Sequence, residues 1–113
     1  MKFKGKEYTE VKDRLIAFAD EFPESTIESK LISVSQIIDT PTGETCNEYV
    51  VQAIVRPSPM QQPEWYYMGL AAERDNTGFV NKTSALENCE TSAVGRALAF
   101  AGFGGDFAIA SKE

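Results

Sequence analysis

The sequence predicts a single α+β domain: a small, curved antiparallel sheet with one helix before it and one after it. Three β-rich segments follow one another between residues 25 and 74, separated by turn residues. Helical periodicity brackets them, first in the stretch that ends before Pro23 and again from Ser84 to Phe100. With 113 residues and 42% hydrophobic content, the chain is expected to form one domain with a modest core, spanning residues 1–113.

The amino-terminal part is expected to begin with a basic segment and to continue into a helix. Residues 1–8 alternate lysine with aromatic and small residues, which predicts a flexible arm or a short edge strand. Thr9 then caps a helix predicted from Glu10 to Phe22, because its apolar residues share one stripe and a proline follows its end. We expect this helix to cover the sheet with the stripe that comprises Val11, Leu15, Phe18 and Phe22.

Three strands are predicted, at Ser25–Ile38, Cys46–Arg56 and Glu64–Arg74. The apolar residues of the first strand change face partway along it, which predicts a β-bulge or a sharp bend. The second strand carries apolar residues on both faces, so much of it is expected to be buried on both sides. Turn residues at Asp39–Gly43 and a proline-rich loop at Pro57–Pro63 connect the strands.

The last helix follows a turn at Asp75–Gly78 and carries a capping-box pattern, Ser84 with Glu87. Small residues dominate one face of this helix, which lets its backbone lie close against a sheet. The following glycines end the helix, and the segment Phe107–Ala110 fits a short last strand. The face that is predicted to be buried comprises Leu86, Cys89, Ala93, Ala97 and Phe100.

The element order α-β-β-β-α fits two architectures. An OB-fold-like variant contains three antiparallel strands followed by a helix, and a bent first strand suits the closure of such a barrel. The β-β-β-α core of single-strand annealing proteins has the same order of strands and helix. The order of the elements leaves both architectures open.

Charge and composition exclude several classes of function. The formal charge is −6, from 11 basic and 17 acidic residues, which excludes a broadly basic surface but permits a local basic groove. Because histidine is absent, we expect neither an enzyme nor a metal or cofactor site. Cys46 and Cys89 are expected to be free, packed thiols. The sequence shows no signal segment and no apolar run that could cross a membrane, so the cytoplasm is the expected location.

Aromatic rings and a few cations form the candidate binding site. Trp65, Tyr66 and Tyr67 are consecutive on one predicted strand, so their rings must point to both faces of the sheet. Unpaired bases stack on exposed rings while cations follow the backbone, so the pattern indicates binding of single-stranded nucleic acid. An ordinary structural role for each residue stays open. The candidate cations are Arg56 and Arg74 at strand ends, Lys82 near a helix amino terminus and Arg96 inside the helix.

Two blocks of the sequence carry a resemblance to a known family. Phe3–Val11 and Val80–Gly105 resemble phage single-stranded-DNA-binding proteins, including those of phages that infect lactic-acid bacteria. The specific parts of the second block are Asn81–Ser84 and Glu87–Leu98. The helix within this block is also similar to that of Erf-type annealing proteins.

The resemblance implies a non-enzymatic protein of the bacterial host cytoplasm. It would bind single-stranded DNA without strong sequence preference during phage DNA replication and recombination, and would assist a phage annealing protein or a host recombinase. It would also form a homo-oligomer, a dimer or larger. Two alternatives stay open: an early phage protein that binds a host protein, and a protein that itself anneals strands.

Overall fold

The computed structural model describes the backbone of residues 2–76 and 78–104, and the side chains of residues 11–76 and 84–104. These residues form the small α+β fold that the sequence predicts. The segment Phe107–Ala110, predicted as a last strand, lies outside the described residues. No described helix has the length and the apolar character that a membrane span requires. The elements are α1 (Lys2–Glu21), β1 (Thr26–Asp39), β2 (Glu44–Arg56), β3 (Tyr67–Arg74) and α2 (Gly78–Phe100).

The strands form one open antiparallel sheet in the order β1-β2-β3. The register of β1 against β2 shifts between Leu31 and Ser33, which makes Ile32 the extra residue of a bulge. The predicted bulge is therefore confirmed at the point where the apolar residues change parity. Its consequence is that Leu31 and Val34 lie on the same face of the sheet although three positions separate them.

The core lies between one face of the sheet and α2. Every fourth residue from Ala85 to Ala97 is buried, and these small side chains bring the helix backbone close to β2 and β3. Gly69 marks the closest approach, because α2 leaves no room there for a β-carbon. The sheet residues that complete this core are Val51, Ala53, Val55 and Ala71.

The amino-terminal helix differs from the predicted one. It begins at Lys2, so the prediction of an arm or edge strand over residues 1–8 is wrong, and Thr9 lies inside the helix rather than at its start. The lysines and glutamates of this segment favour helix, and no proline interrupts them. The helix packs against α2 rather than against the strands, although Phe18 reaches the core.

Three further boundaries and burial predictions are corrected. β3 begins at Tyr67 instead of Glu64. Ser84, the predicted cap, has non-helical angles (φ −131°, ψ 24°) at a kink where two helical segments of α2 meet. The second segment follows Ser84 as the capping pattern predicts, but a helical segment from Gly78 precedes it. Leu86 and Phe100, which were predicted to be buried, are 42% and 63% exposed. The buried Ala85 and Ala97 make the contact with the sheet instead.

Candidate nucleic-acid interface

The sheet face opposite α2 is uncovered by any element of the described part of the chain. Side chains alternate along a strand, so the residues between the buried ones point to this face. Two of them, Met68 and Leu70, are 40% and 52% exposed. We call this surface the open face. Between the rows of Arg56 and Glu48 its members are Thr26, Glu28, Lys30, Ser33 and Ser35 on β1, Glu48, Val50, Gln52, Ile54 and Arg56 on β2, and Met68, Leu70, Ala72 and Arg74 on β3. Toward the β1–β2 turn the same face continues through Ile37, Cys46, Asp39 and Glu44.

The open face is less acidic than the chain as a whole. Between the rows of Arg56 and Glu48 it has three cations and two carboxylates, and Asp39 and Glu44 add two carboxylates on the same face at the β1–β2 turn. An acidic protein that binds a polyanion needs a local excess of cations. The part of the open face around Lys30 and Arg56 is therefore the one that matches the local basic surface that the composition permits. Between those two rows the cations are Lys30, Arg56 and Arg74, and the carboxylates are Glu28 and Glu48.

Arg56 and Tyr66 contact each other at one end of the open face. The Arg56 guanidinium carbon lies 5.7 Å from the centroid of the Tyr66 ring, within the range of a cation–π contact, and Tyr66 is 48% exposed. Arg56 Nη1 also donates to Glu28 Oε1 at 2.8 Å, with side chains 29% and 58% exposed. Exposed pairs of this kind contribute about 0–1 kcal/mol, so a phosphate can replace Glu28 at little cost.

Trp65 and Tyr67 are half-buried beside the core. The indole Nε1 of Trp65 donates to the Tyr67 hydroxyl at 3.1 Å. The Trp65 ring meets Phe22 edge-on, with centroids 5.6 Å apart, and Tyr67 packs against the core residues. These two aromatics help to fix the start of β3 against the end of α1. Tyr66 is the ring of the three that offers an exposed face.

The other predicted cations lie apart from this pair. Arg74 Nε donates to Glu48 Oε2 at 3.4 Å, at the opposite end of β2 from Arg56. Arg96 Nη1 donates to the carbonyl oxygen of Leu70 at 2.6 Å, which ties α2 to the backbone of β3. The side chain of Lys82 is not among those that the structure describes.

The end of the sheet farthest from Arg56 is acidic. The backbone and side-chain nitrogens of Asn47 donate to the two carboxylate oxygens of Asp75, both at 3.0 Å. Asn76 Nδ2 donates to Asp39 Oδ2 at 2.9 Å. These bonds fasten the β1–β2 turn to the β3–α2 turn and bring carboxylates together. Negative charge is therefore concentrated at the end of the sheet away from Arg56.

Both cysteines are free and buried, which confirms the prediction. Cys89 Sγ lies 3.2 Å from the carbonyl oxygen of Ala71, deep in the contact between α2 and β3. Burial raises the pKa of the Cys89 thiol, so it stays neutral and is a poor nucleophile. Among the described residues, no three side chains of the metal-binding types cluster so as to hold an ion.

We expect both thiols to resist a soluble alkylating reagent in the folded protein and to react rapidly in denaturant. Folding raises the pKa of the Cys89 thiol. The neutral thiol therefore makes its full contribution to stability at pH values below the pKa of the unfolded thiol. This contribution is lost as the pH rises through the folded pKa. Mass spectrometry of labelling time courses at increasing pH measures how strongly the fold protects each thiol from the reagent. Fast labelling of the native protein at neutral pH would contradict the burial of these thiols.

Among the open-face residues that sequence analysis did not name as site candidates are Lys30, Met68 and Leu70. A signal was present for the last two. Gly69 and Ala71 alternate with them along β3, and small residues at alternate positions mark the side held close to a helix. The large residues between them must then face the other way. Lys30 carries no comparable signal, because its face depends on the position of the bulge.

The fold and the open face define a small α+β domain with a single open sheet and the order α-β-β-β-α. The chain belongs to the family described as Slr1353 N-terminal dsRNA-binding domain-like, whose profile matches residues 15–101. The match extends from within α1 to just past the end of α2. No curated protein and no solved structure matches the chain.

Assignment to a phage single-stranded-DNA-binding family is therefore wrong. That resemblance rested on two blocks at the ends of the chain, whereas the family match also includes all three strands. The pattern of the second block has a structural cause, because small residues at every fourth position are what close packing of α2 on the sheet requires. The same pattern arises in any helix packed in this way, so it does not identify a ligand. The description of the matched family indicates nucleic acid as the general class of partner.

Proposed function

We propose that this chain is a nucleic-acid-binding domain that holds an unpaired strand on its open face without strong sequence preference. The observation that carries the proposal is the exposed Tyr66 ring beside the Arg56 guanidinium on an uncovered sheet. A base stacks on the ring while the guanidinium contacts a phosphate. The proposed activity is binding alone, with no catalytic step.

The rest of the open face supports such a ligand. Ile54 pairs with Met68 across β2 and β3, and the exposed Leu70 follows, so an apolar strip continues from the Tyr66 end. Apolar and aromatic surfaces suit the faces of bases, which are buried inside a duplex but free in a single strand. Lys30 lies in the same cross-strand row as Leu70 and provides a second cation for the backbone.

Duplex RNA is the second candidate, and the description of the family favours it. Double-stranded-RNA-binding domains read the shape of an A-form helix through contacts to two minor grooves and to the phosphates between them. This mode requires cations wherever the domain meets the backbone. In the described part of the chain, the β1–β2 turn supplies Asp39 and Glu44 instead, and the exposed surface of α2 includes Glu87 and Glu90. The charges therefore favour the part of the open face near Arg56.

Replacing Tyr66 with Ala should weaken binding of a labelled oligo-dT by about 5- to 150-fold, the loss of one stacking contact of roughly 1–3 kcal/mol. Tyr66→Phe retains the ring and should bind nearly as tightly as the natural protein. Phe100→Ala is the matched control, because it removes a ring that is 63% exposed but lies on α2. Fluorescence anisotropy titrations give the three affinities.

A salt titration and a competitor separate the two candidates. Affinity for a single strand should fall with salt by a log–log slope of about −0.7 per phosphate contacted. Lys30→Ala should reduce that slope by roughly one contact. Duplex RNA that binds more tightly than oligo-dT and is insensitive to Tyr66→Ala would contradict the proposal and favour the second candidate. Failure to bind any nucleic acid at low salt would contradict both.

A further inference from the structure

β1 is a long edge strand whose helix-facing side is largely uncovered. It has 14 residues against the 8 of β3, and α2 packs mainly on β2 and β3. Within the described residues, no strand pairs with its free edge. Long apolar edges of this kind pair readily with another strand. The aliphatic side chains on this side of β1 are 37% to 66% exposed, and they are Ile27, Leu31, Val34 and Ile38.

These four aliphatic residues are spaced symmetrically along the strand. Four positions separate Ile27 from Leu31, three separate Leu31 from Val34, and four separate Val34 from Ile38. The bulge keeps all four on one face, since their partners on β2 also share one face. Two antiparallel copies of β1, related by a two-fold axis at the bulge, place Ile27 opposite Ile38 of the second copy. The same register places Leu31 opposite Val34.

The charges of the strand allow this register. On the other face of β1 it places Lys30 opposite Ser35 of the second copy, and Glu28 opposite Ile37, so no like charges meet. β3, the other edge of the sheet, is less available, because Arg96 already donates to the Leu70 carbonyl. The edge strand that is available for pairing, β1, is thus also the strand whose residues are complementary to a second antiparallel copy of itself.

We infer that two copies of this chain join through β1 in antiparallel register and form a continuous six-stranded sheet. The contact is isologous, as expected for a two-fold dimer. Opposed side chains in such a pair lie about 4.5–5.5 Å apart at their β-carbons, so each aliphatic residue contacts its counterpart side by side on one face of the sheet. The two-fold axis is perpendicular to the sheet, which places both open faces on the same side. The inference rests on β1 and does not depend on nucleic-acid binding.

Sedimentation of the full chain in the absence of nucleic acid tests the dimer directly. We expect a species of twice the 12.5 kDa chain mass that dissociates on dilution. Val34→Lys places a charge beside the axis in both copies, and should weaken the dimer by at least about tenfold. Ile38→Lys, at a position that is 66% exposed, is a second variant expected to fold. Ile16→Lys is the matched control, because it changes an aliphatic residue of similar exposure on α1, 52% against 50% for Val34.

Cysteine cross-linking tests the register. Leu31→Cys combined with Val34→Cys should form a covalent dimer under mild oxidation, since each position faces the other across the axis. Within one chain these positions are about 10 Å apart along the strand, too far for a disulfide. Ile27→Cys combined with Val34→Cys places no two new thiols opposite each other and should stay uncross-linked.

Three results would overturn the inference. The first is a chain that stays monomeric at every concentration, since β1 would then not pair with a second copy. The second is a dimer that both lysine variants on β1 leave intact while their circular dichroism shows a native fold. The third is equal cross-linking of the two cysteine pairs, which would place the contact elsewhere. None of these measurements involves nucleic acid, so failure of the binding proposal would leave them interpretable.

Discussion

Replacing Gly69 with Ala is expected to destabilise the protein by about 3 kcal/mol or more, at the upper end of what overpacking costs. A β-carbon at this position would lie 2.5 Å from the backbone nitrogen of Ala97 and still closer to the carbonyl oxygen of Ala93. Both are backbone atoms of α2, so no side-chain rotation relieves the clash. The helix must move away from β3, and the close contact of its small residues with the sheet is then lost.

Gly95→Ala is the matched control for this prediction. The same change there brings the new carbon to 3.3 Å from Val11 Cγ2, the end of a side chain that can adjust. Alanine also favours helix over glycine by about 1 kcal/mol, which offsets the tight contact. We expect a change of less than about 1 kcal/mol. Chemical denaturation of both variants gives the two free energies of unfolding, and equal values would show that the contact at Gly69 is not rigid.

Features of the fold that depend on local pattern could be predicted from the sequence. The bulge in β1 is an example, because apolar side chains stay on one face across an odd spacing, from Leu31 to Val34, when the strand contains an extra residue. The three antiparallel strands followed by a helix rest on similar local signals. The starts of the helices were less predictable. α1 begins at Lys2 and α2 at Gly78, ahead of Thr9 and Ser84, the caps that the sequence pattern indicates.

The candidate site shows a similar division between local and long-range information. The sequence predicted that Trp65, Tyr66 and Tyr67 point to both faces, because that follows from strand geometry. It could not tell which ring stays exposed, since that depends on which side of β3 meets α2. Arg96 illustrates the same limit, because its position on the helix was visible but its bond to the Leu70 carbonyl depends on tertiary packing.

The assignment of a family from the two ends of the chain failed for a related physical reason. The small residues from Ala85 to Ala97 are required because α2 lies close to the sheet. Proteins that bind different ligands share this requirement wherever a helix packs closely on a sheet. Ligand specificity depends instead on the residues that the packing leaves exposed. In this chain the exposed candidates are Lys30 on β1 and Tyr66 directly before β3, and tests of nucleic-acid preference should be directed at them.

Removing the ring of Phe18 is expected to cost about 3–5 kcal/mol of unfolding free energy, in the range found for buried aromatic residues. Phe18 is fully buried, and its ring centroid lies 5.3 Å from that of Phe22 and 5.4 Å from that of Phe103. It is the fully buried residue of α1 in the core between α2 and the sheet, and Leu15 packs against the same core. Phe18→Ala therefore leaves a cavity where both helices and the chain after α2 meet.

The way in which Phe18→Ala loses stability also tests how α1 is held. Besides Phe18, α1 is joined to α2 by the bond from Arg14 Nη1 to the Gly95 carbonyl oxygen, at 3.2 Å. If Phe18 is the main anchor, Phe18→Leu should lose less stability, and Ile16→Ala, at an exposed position on the same helix, should change it by about 0.5 kcal/mol or less. Urea denaturation followed by far-ultraviolet circular dichroism measures all three. A loss of less than about 1 kcal/mol for Phe18→Ala, with helix content unchanged, would mean that α1 docks through other contacts.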